Sequence, residues 1–351
     1  MKPVVLQDKV SKRGGLKILV VSNLFPPAAL GGYERRCSLV CQGLLARGHE
    51  VHVLTTPPPA EFGTLEEEFP HVERSLSLFL PFDRPVRGAK RWRRWRRTRR
   101  NHRRMRAVLQ HWKPDVVFVW SQLRLSLGAA RAAQEAGIPM LYSFGDEHLA
   151  SYRPVPFQLA PKRLAGFLAD RFLFPSGTLR GLRFENALFI SQRNHDRLKE
   201  AGIEFSHSKI LHRAIDIRAF PLKPRPGEIR KPARILFLGQ LHDYKGAHTV
   251  LEAAGILERE HGPGLIEVTL VGKGDAEYRE RLETLAESLS SPVTFRGGVP
   301  HFQVAAIFRE HDIYVFPSIY PEAFGGVLLE AMASGTVVVA TAHGGAGEFL
   351  V

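Results

Sequence analysis

Residues 317–348, PSIYPEAFGGVLLEAMASGTVVVATAHGGAGE, decide the fold. Glu322 closes a loop, Phe324-Gly325-Gly326 open a predicted helix, and Glu330 stands eight positions after Glu322. The helix VLLEAMAS stops at Gly335, and the β-branched run TVVVAT predicts a buried parallel strand. The result is a strand-loop-helix-strand unit with an acid at its mouth.

Two adjacent glycines let a ligand approach the backbone. The free N–H groups of a first helical turn carry the positive end of the dipole, so this turn is a seat for a diphosphate. Eight helical positions span about 12 Å. Glycosidase acid/base carboxylates sit about 5 to 9.5 Å apart, so that chemistry does not fit. Two acids bracketing an anion seat suit a long polyhydroxylated ligand, because carboxylates accept hydrogen bonds from sugar hydroxyls. The plainer alternative is an exposed loop glutamate and a helix-face glutamate of no consequence.

This stretch resembles the retaining GT-B glycosyltransferases of family four, with their P-S-x-x-E-x-F-G-x-x-x-x-E-A-M-A-x-G pattern. Here one extra residue, Tyr320 or Pro321, widens the gap before Glu322. The resemblance implies that Glu322 contacts donor-sugar hydroxyls, that the amides of Phe324, Gly325 and Gly326 meet sugar and phosphates, and that Glu330 holds the ribose. Gly344, Gly345 and Glu348 match the family's following G-G-x-x-E. The implied fold is α/β, GT-B, with two Rossmann-like domains whose parallel sheets face a central cleft.

The chain has 351 residues, more than one hydrophobic core normally organises, so two domains are expected. No apolar run approaches the roughly 18 residues that span a bilayer, and the start lacks a signal-peptide core, which points to the cytoplasm. Cys37 and Cys41 lie four apart on a predicted helix and are expected to be reduced core residues. Net charge is +14, but residues 87–106 hold twelve Lys or Arg and no acid, which leaves +2 for the rest.

The chain opens with a strand at 16–22, a loop, a helix at 33–48 and a second strand, a βαβ start with Gly31 and Gly32 at the helix entrance. That loop lies at the carboxyl end of the first strand, where ligands of open α/β sheets bind. The string PPAALGGYERRCSLVCQGLLARGHEVHVLT looks like the family's opening, whose glycines lie near donor phosphates and acceptor. After a connection around a possible short strand SLSLFL, a helix is predicted over 89–112.

That helix carries the Arg run, with Trp92 and Trp95 one turn apart. Burying unpaired guanidinium groups is costly, so this face meets water, phosphate or lipid headgroups. A solvated face, a nucleic-acid grip and an anionic membrane surface compete. The sugar-nucleotide context weighs against nucleic acid. Arg91, Trp92, Arg94 and Trp95 are assigned to a membrane surface, where each cation contributes about 1 kcal/mol and Trp prefers the interface.

The strand IPMLYSF ends in GDEHLASY, where acid/base groups collect, and makes Asp146 and His148 candidates beside Glu147; the plainer alternative is Asp146 as a helix N-cap and His148 as a surface residue. The family's strand commonly ends in His-Asp; Gly145 stands where that His would be, and His148 one turn later is the substitute imidazole. Residues 149–183 are predicted helical, a second surface for acceptor or membrane. The stretch 222–232, dense in Pro and Arg, is the linker, between domains at 1–221 and 233–351.

In the second domain a strand ends at Gly239, with Lys245 just inside a helix start. Lys245 is placed to neutralise a leaving diphosphate. The family's G-R-L element has Gln240 in place of its Arg. GKGDAE resembles a family turn that brings Gly272 and Gly274 near the donor, and VTFRGGV sits where the base is held. His301 and His311 show no ligand spacing, so neither metal nor cofactor is expected.

The resemblance therefore implies transfer of a sugar from a nucleoside-diphosphate sugar to a hydroxyl acceptor, lipid-linked or saccharide, with retention. It also implies several dozen further residues, with the last helices missing here. Epimerisation of a nucleotide sugar on the same fold and a non-catalytic binding protein are the alternatives.

Overall fold

The computed structural model describes residues 14–29, 32–59, 69–78, 91–122, 124–154, 156–173 and 175–350. The chain divides into two compact units, Met1–Ile190 with Asn194–Leu211, and Ser191–Arg193 with His212–Val351.

The first unit alternates strands and helices: β1 (Lys17–Val21), α1 (Gly32–Leu45), β2 (Glu50–Thr55), β3 (Val72–Arg74), α2 (Arg91–Trp112), β4 (Val116–Val119), α3 (Gly128–Glu135), β5 (Met140–Phe144), α4 (Pro161–Leu168), β6 (Phe184–Phe189), α5 (Gln192–Glu200) and β7 (Phe205–Ile210). The sheet order is β3-β2-β1-β4-β5-β6-β7, every pair parallel. Such sheets bury both faces, which is why β1 reads KILVV rather than alternating. Its core combines Leu19, Val21, Val117 and Tyr142 with Met105, Val108 and Leu109 of α2. Thr98, Asn101 and Met105 form the buried stripe of α2 at helical spacing, so its arginines are left on the other side.

Three predicted boundaries shift. The stretch LRLSLGAARAAQEAG (123–137) reads as one helix in sequence, but the helix begins only at Gly128, because Arg124 (φ 57°) and Ser126 (φ 77°) adopt left-handed backbone that ends helical winding. The short strand is Val72–Arg74; Ser75–Leu78 is irregular, and residues 79 and 80 lie outside the described residues. The stretch 149–183 is broken by Pro154, Pro156 and Pro161 into a 3-10 turn (His148–Tyr152), α4 and a π turn (Ala169–Leu173).

The second unit runs β8 (Ala233–Leu238), α6 (Ala247–His261), β9 (Ile266–Val271), α7 (Ala276–Glu287), β10 (Val293–Gly297), α8 (Val304–Glu310), β11 (Ile313–Phe316), α9 (Gly326–Ala333) and β12 (Val337–Ala340). Its parallel order is β10-β9-β8-β11-β12. Among the described residues the run TVVVAT is thus an edge strand and not a buried one: β12 pairs there only with β11, and Val339 is 53% exposed. Nor is 222–232 a free tether. Its backbone bonds to the turn after α9 (Lys223 N to Ser334 O, Gly227 N to Gly335 O), and Arg230 pairs with the buried carboxylate of Asp312.

Candidate functional site

In each sheet the chain leaves on one side of its first strand and returns on the other, and the loops after the two strands flanking that reversal form a crevice. In the second unit those strands are β8 and β11. Lys245 comes from the loop after β8 and Glu322 from the loop after β11, and the Lys245 ammonium donates directly to Glu322 Oε1. Lys245 lies on a 3-10 turn (Asp243–Lys245), ahead of α6 rather than inside it; Gly246, left-handed at φ 76°, separates the two. A Cβ at Gly246 would sit 2.4 Å from the Pro317 carbonyl oxygen, so glycine there lets the two loops close together. Ser318 Oγ donates to the same carboxylate at 3.3 Å, and the rings of Tyr244 and Tyr320 stand 5.6 and 6.0 Å from the Lys245 nitrogen. Both members of the pair are mostly buried, at 19% and 17% side-chain exposure.

Phe324 is buried, Gly325 is left-handed at φ 80° and caps α9, and Gly326 is its first residue. The Glu322 backbone is fixed from the far side: Gly345 N donates to Glu322 O at 2.8 Å, and a Cβ on Gly344 would meet that oxygen at 2.3 Å. Glu348 turns elsewhere, accepting from the amides of Gln192 and Arg193 at 2.8 Å each.

Glu330, on one face of α9, is held by a residue that spacing did not single out: His301 Nε2 lies 3.2 Å from Glu330 Oε1. Beneath them, burial pushes the Tyr314 hydroxyl far up, and the charges of Glu330 and Glu322 push it further. Gln240 is exposed on the loop after β8. Gly272 serves packing, since a Cβ there would stand 1.8 Å from Gly239 O.

The first unit has its own crevice at the ends of β4 and β5, beside the start of α1, a cavity lined by Tyr33, Trp120, Gln122, Gly145, Asp146 and His148 among others. Gly145 has no side chain because Tyr33 fills that space: a Cβ would lie 2.2 Å from the ring. The Tyr33 hydroxyl donates to the Trp120 carbonyl, and Trp120 Nε1 donates back to Tyr33 O at 3.2 Å. Asp146 behaves as a local cap, its Oδ1 accepting from His148 N at 2.8 Å. His148 packs edge-on to Tyr152, and burial, then the charges of Arg94 and Arg124, lower its pKa to about 4. It is a neutral imidazole near pH 7. Both amide atoms of Gln122 are buried without a hydrogen-bond partner among the described residues, an uncommon state for a side chain lining a cavity. Gly32 starts α1, and Gly31 lies outside the described residues.

Residues 30–219 match the model for Glycosyltransferase Family 4, and 221–351 match Glycosyl transferases group 1. The chain belongs to glycosyltransferase family 4. Among curated members it is similar to the glycogen synthase of Mycobacterium tuberculosis, 26% identical over 350 residues, covering 96% of this chain and 80% of that one. The phosphatidyl-myo-inositol mannosyltransferase of Mycobacterium leprae is 38% identical over 109 residues, 30% of this chain and 28% of that one. Two solved structures share the fold. Anabaena HepE in complex with UDP and glucose has a TM-score of 0.62 at 21% identity, over 96% of this chain and 83% of that one. The sucrose-phosphate synthase of Thermosynechococcus elongatus has a TM-score of 0.66 at 21%, over 95% and 83%.

This family 4 glycosyltransferase carries a strongly cationic helix in α2. Trp92 is 42% exposed, with the Arg96 guanidinium over its ring at 5.2 Å, and Arg99 stands over Trp95 at 4.8 Å. Arg94 departs from the expected membrane face. Its Nη1 donates to Ser151 O at 3.1 Å and its guanidinium covers the Tyr152 ring, bracing the turn that carries His148. Arg91 begins the helix. Among the described residues no helix is long and apolar enough to cross a membrane.

Proposed function

We propose that this glycosyltransferase moves a sugar from a nucleoside-diphosphate sugar to a hydroxyl acceptor, with retention and without a metal or other cofactor. The observation that carries the reading is the meeting of Lys245 and Glu322 across the reversal point of the second sheet, beside the Gly325-Gly326 helix start. The cation and carboxylate satisfy each other. An arriving pyrophosphate competes for Lys245 and the first amides of α9, and frees Glu322 for sugar hydroxyls. Glu330 then takes the ribose diol. The negative charge that builds on the departing diphosphate is met by Lys245 and the helix start, while Gln240 adds hydrogen bonds without charge. UDP and glucose in the HepE complex, on the same fold, support a donor of this class.

The acceptor belongs in this reading to the first unit's cavity, where the Gln122 amide offers an unused donor and acceptor to hydroxyls. Asp146 and His148 flank it, His148 as a neutral hydrogen-bonding group. The cationic face of α2, with Arg91, Trp92 and Trp95, favours an envelope acceptor that is lipid-linked and reached at the inner face of the cell membrane. The test is turnover. Purified chain is incubated with UDP-, GDP- and ADP-sugars and saccharide or lipid-linked acceptors, with and without EDTA, and the product anomer is read by NMR. Acceptor-dependent release of nucleoside diphosphate with the donor's anomeric configuration, unaffected by EDTA, supports the reading. Donor turnover that stays intramolecular, or an inverted product, contradicts it.

A further inference from the structure

Between α3 and β6 the first unit displays apolar side chains that its core does not take up. Phe157, Leu159, Leu168, Phe172 and Leu173 are 60%, 82%, 44%, 69% and 65% exposed. Single exposed apolar residues are ordinary, but five within seventeen positions of one segment are more apolar surface than scattered exposure supplies. The segment is built, not loose: Pro161 starts α4, and the Phe157 ring stands edge-on to Phe167 at 5.4 Å. Its exposed charges, Lys162, Arg163 and Arg171, are all positive, and its one acid, Asp170, is buried. The Arg171 guanidinium lies 5.9 Å over the exposed Phe172 ring. The segment is also continuous with the cationic helix, because the turn that follows it (Pro175–Gly177) packs on α2, where a Cβ on Gly177 would stand 3.8 Å from Arg94 Cδ.

We propose that residues 157–173 insert their apolar side chains into the headgroup–acyl boundary of an anionic bilayer, beside the cationic face of α2. The proposal rests on the membrane reading above and adds a second element to it. Arginines alone give attachment that salt dissolves, whereas inserted Leu and Phe give attachment that salt leaves in place, and stable anchoring takes both signals. Apolar groups interleaved with cations alone match the layer where acyl chains meet anionic headgroups. A second copy of the chain would instead bring like charges together, which opposes association.

Flotation of the full chain with vesicles of phosphatidylcholine, alone or mixed with phosphatidylglycerol, tests this at low salt and at about 1 M salt, where the Debye length is about 3 Å. Wild type should float with the anionic vesicles at low salt and keep a bound fraction at high salt. Leu159→Ser and the pair Phe172→Ser/Leu173→Ser should keep low-salt binding and lose the salt-resistant part by about tenfold. Arg96→Ser/Arg100→Ser should do the reverse. Salt-resistant binding unchanged in the apolar variants, or absent in wild type, overturns the proposal. So does a self-association that those variants abolish. Wild type that ignores anionic vesicles even at low salt removes the underlying membrane reading instead.

Discussion

His301 Nε2 lies 3.2 Å from Glu330 Oε1, so the α9 carboxylate is already oriented by an imidazole from the turn after β10. A carboxylate held by one oxygen keeps the other for a ligand. His301→Ala should therefore weaken binding of the preferred nucleoside diphosphate by about tenfold, the usual worth of a hydrogen bond to a charged group. His301→Gln should recover most of it. Titration calorimetry on the three proteins decides, and equal affinities would mean that the imidazole positions nothing.

Lys245 and Glu322 should act as a unit. Removing either partner leaves a mostly buried charge alone, so Lys245→Met and Glu322→Gln should each lower kcat/KM by about a hundredfold or more. The double variant should be little worse than either single one. Losses that simply multiply in the double variant would show that the two groups contribute separately.

The Tyr33 ring occupies the space above Gly145. Gly145→Ala should lower stability by about 1–3 kcal/mol through overpacking, and Tyr33→Ala should rescue part of that loss when combined with it. Thermal unfolding of the four proteins is the measurement. A Gly145→Ala protein as stable as wild type would place the ring elsewhere.

His148 gives a pH dependence of known sign. Burial and neighbouring arginines lower its pKa from 6.5 to about 4, so between those values the unfolded chain takes up a proton that the folded chain refuses. Stability should therefore fall as pH drops through that window, by up to about 3 kcal/mol from this group. His52 and His311, both lowered chiefly by burial, add in the same direction. Denaturant melts across the window should show a shallower slope for His148→Gln.

The sheets were legible because parallel strands buried on both faces leave continuous apolar runs, as in KILVV and IEVTLV, punctuated by glycine turns. The edge character of β12 was not, since an edge strand and an inner one can carry the same valines. Lys245 and Glu322 were each visible as types in loops. That they touch depends on β8 and β11 lying side by side, a tertiary fact 77 residues apart in sequence. Tyr33 follows the Gly31-Gly32 pair directly and carried that much signal. Gln122 carried none, because an amide is singled out only by having no partner. His301 has no metal-ligand spacing to mark it, and its partner is one carboxylate on a helix.

In the proposed mechanism the start of α9, with Lys245, seats a pyrophosphate whose sugar ends are taken by Glu322 and Glu330. Ligand-observed NMR across UDP-, GDP- and ADP-sugars, on wild type, Lys245→Ala and Glu330→Ala, tests it most directly. Wild type should show saturation transfer to one nucleotide class. Phosphate-dependent affinity should disappear in Lys245→Ala, and saturation of the ribose protons should fall in Glu330→Ala. Wild type that binds no nucleotide sugar, or binding that survives both substitutions unchanged, would contradict it.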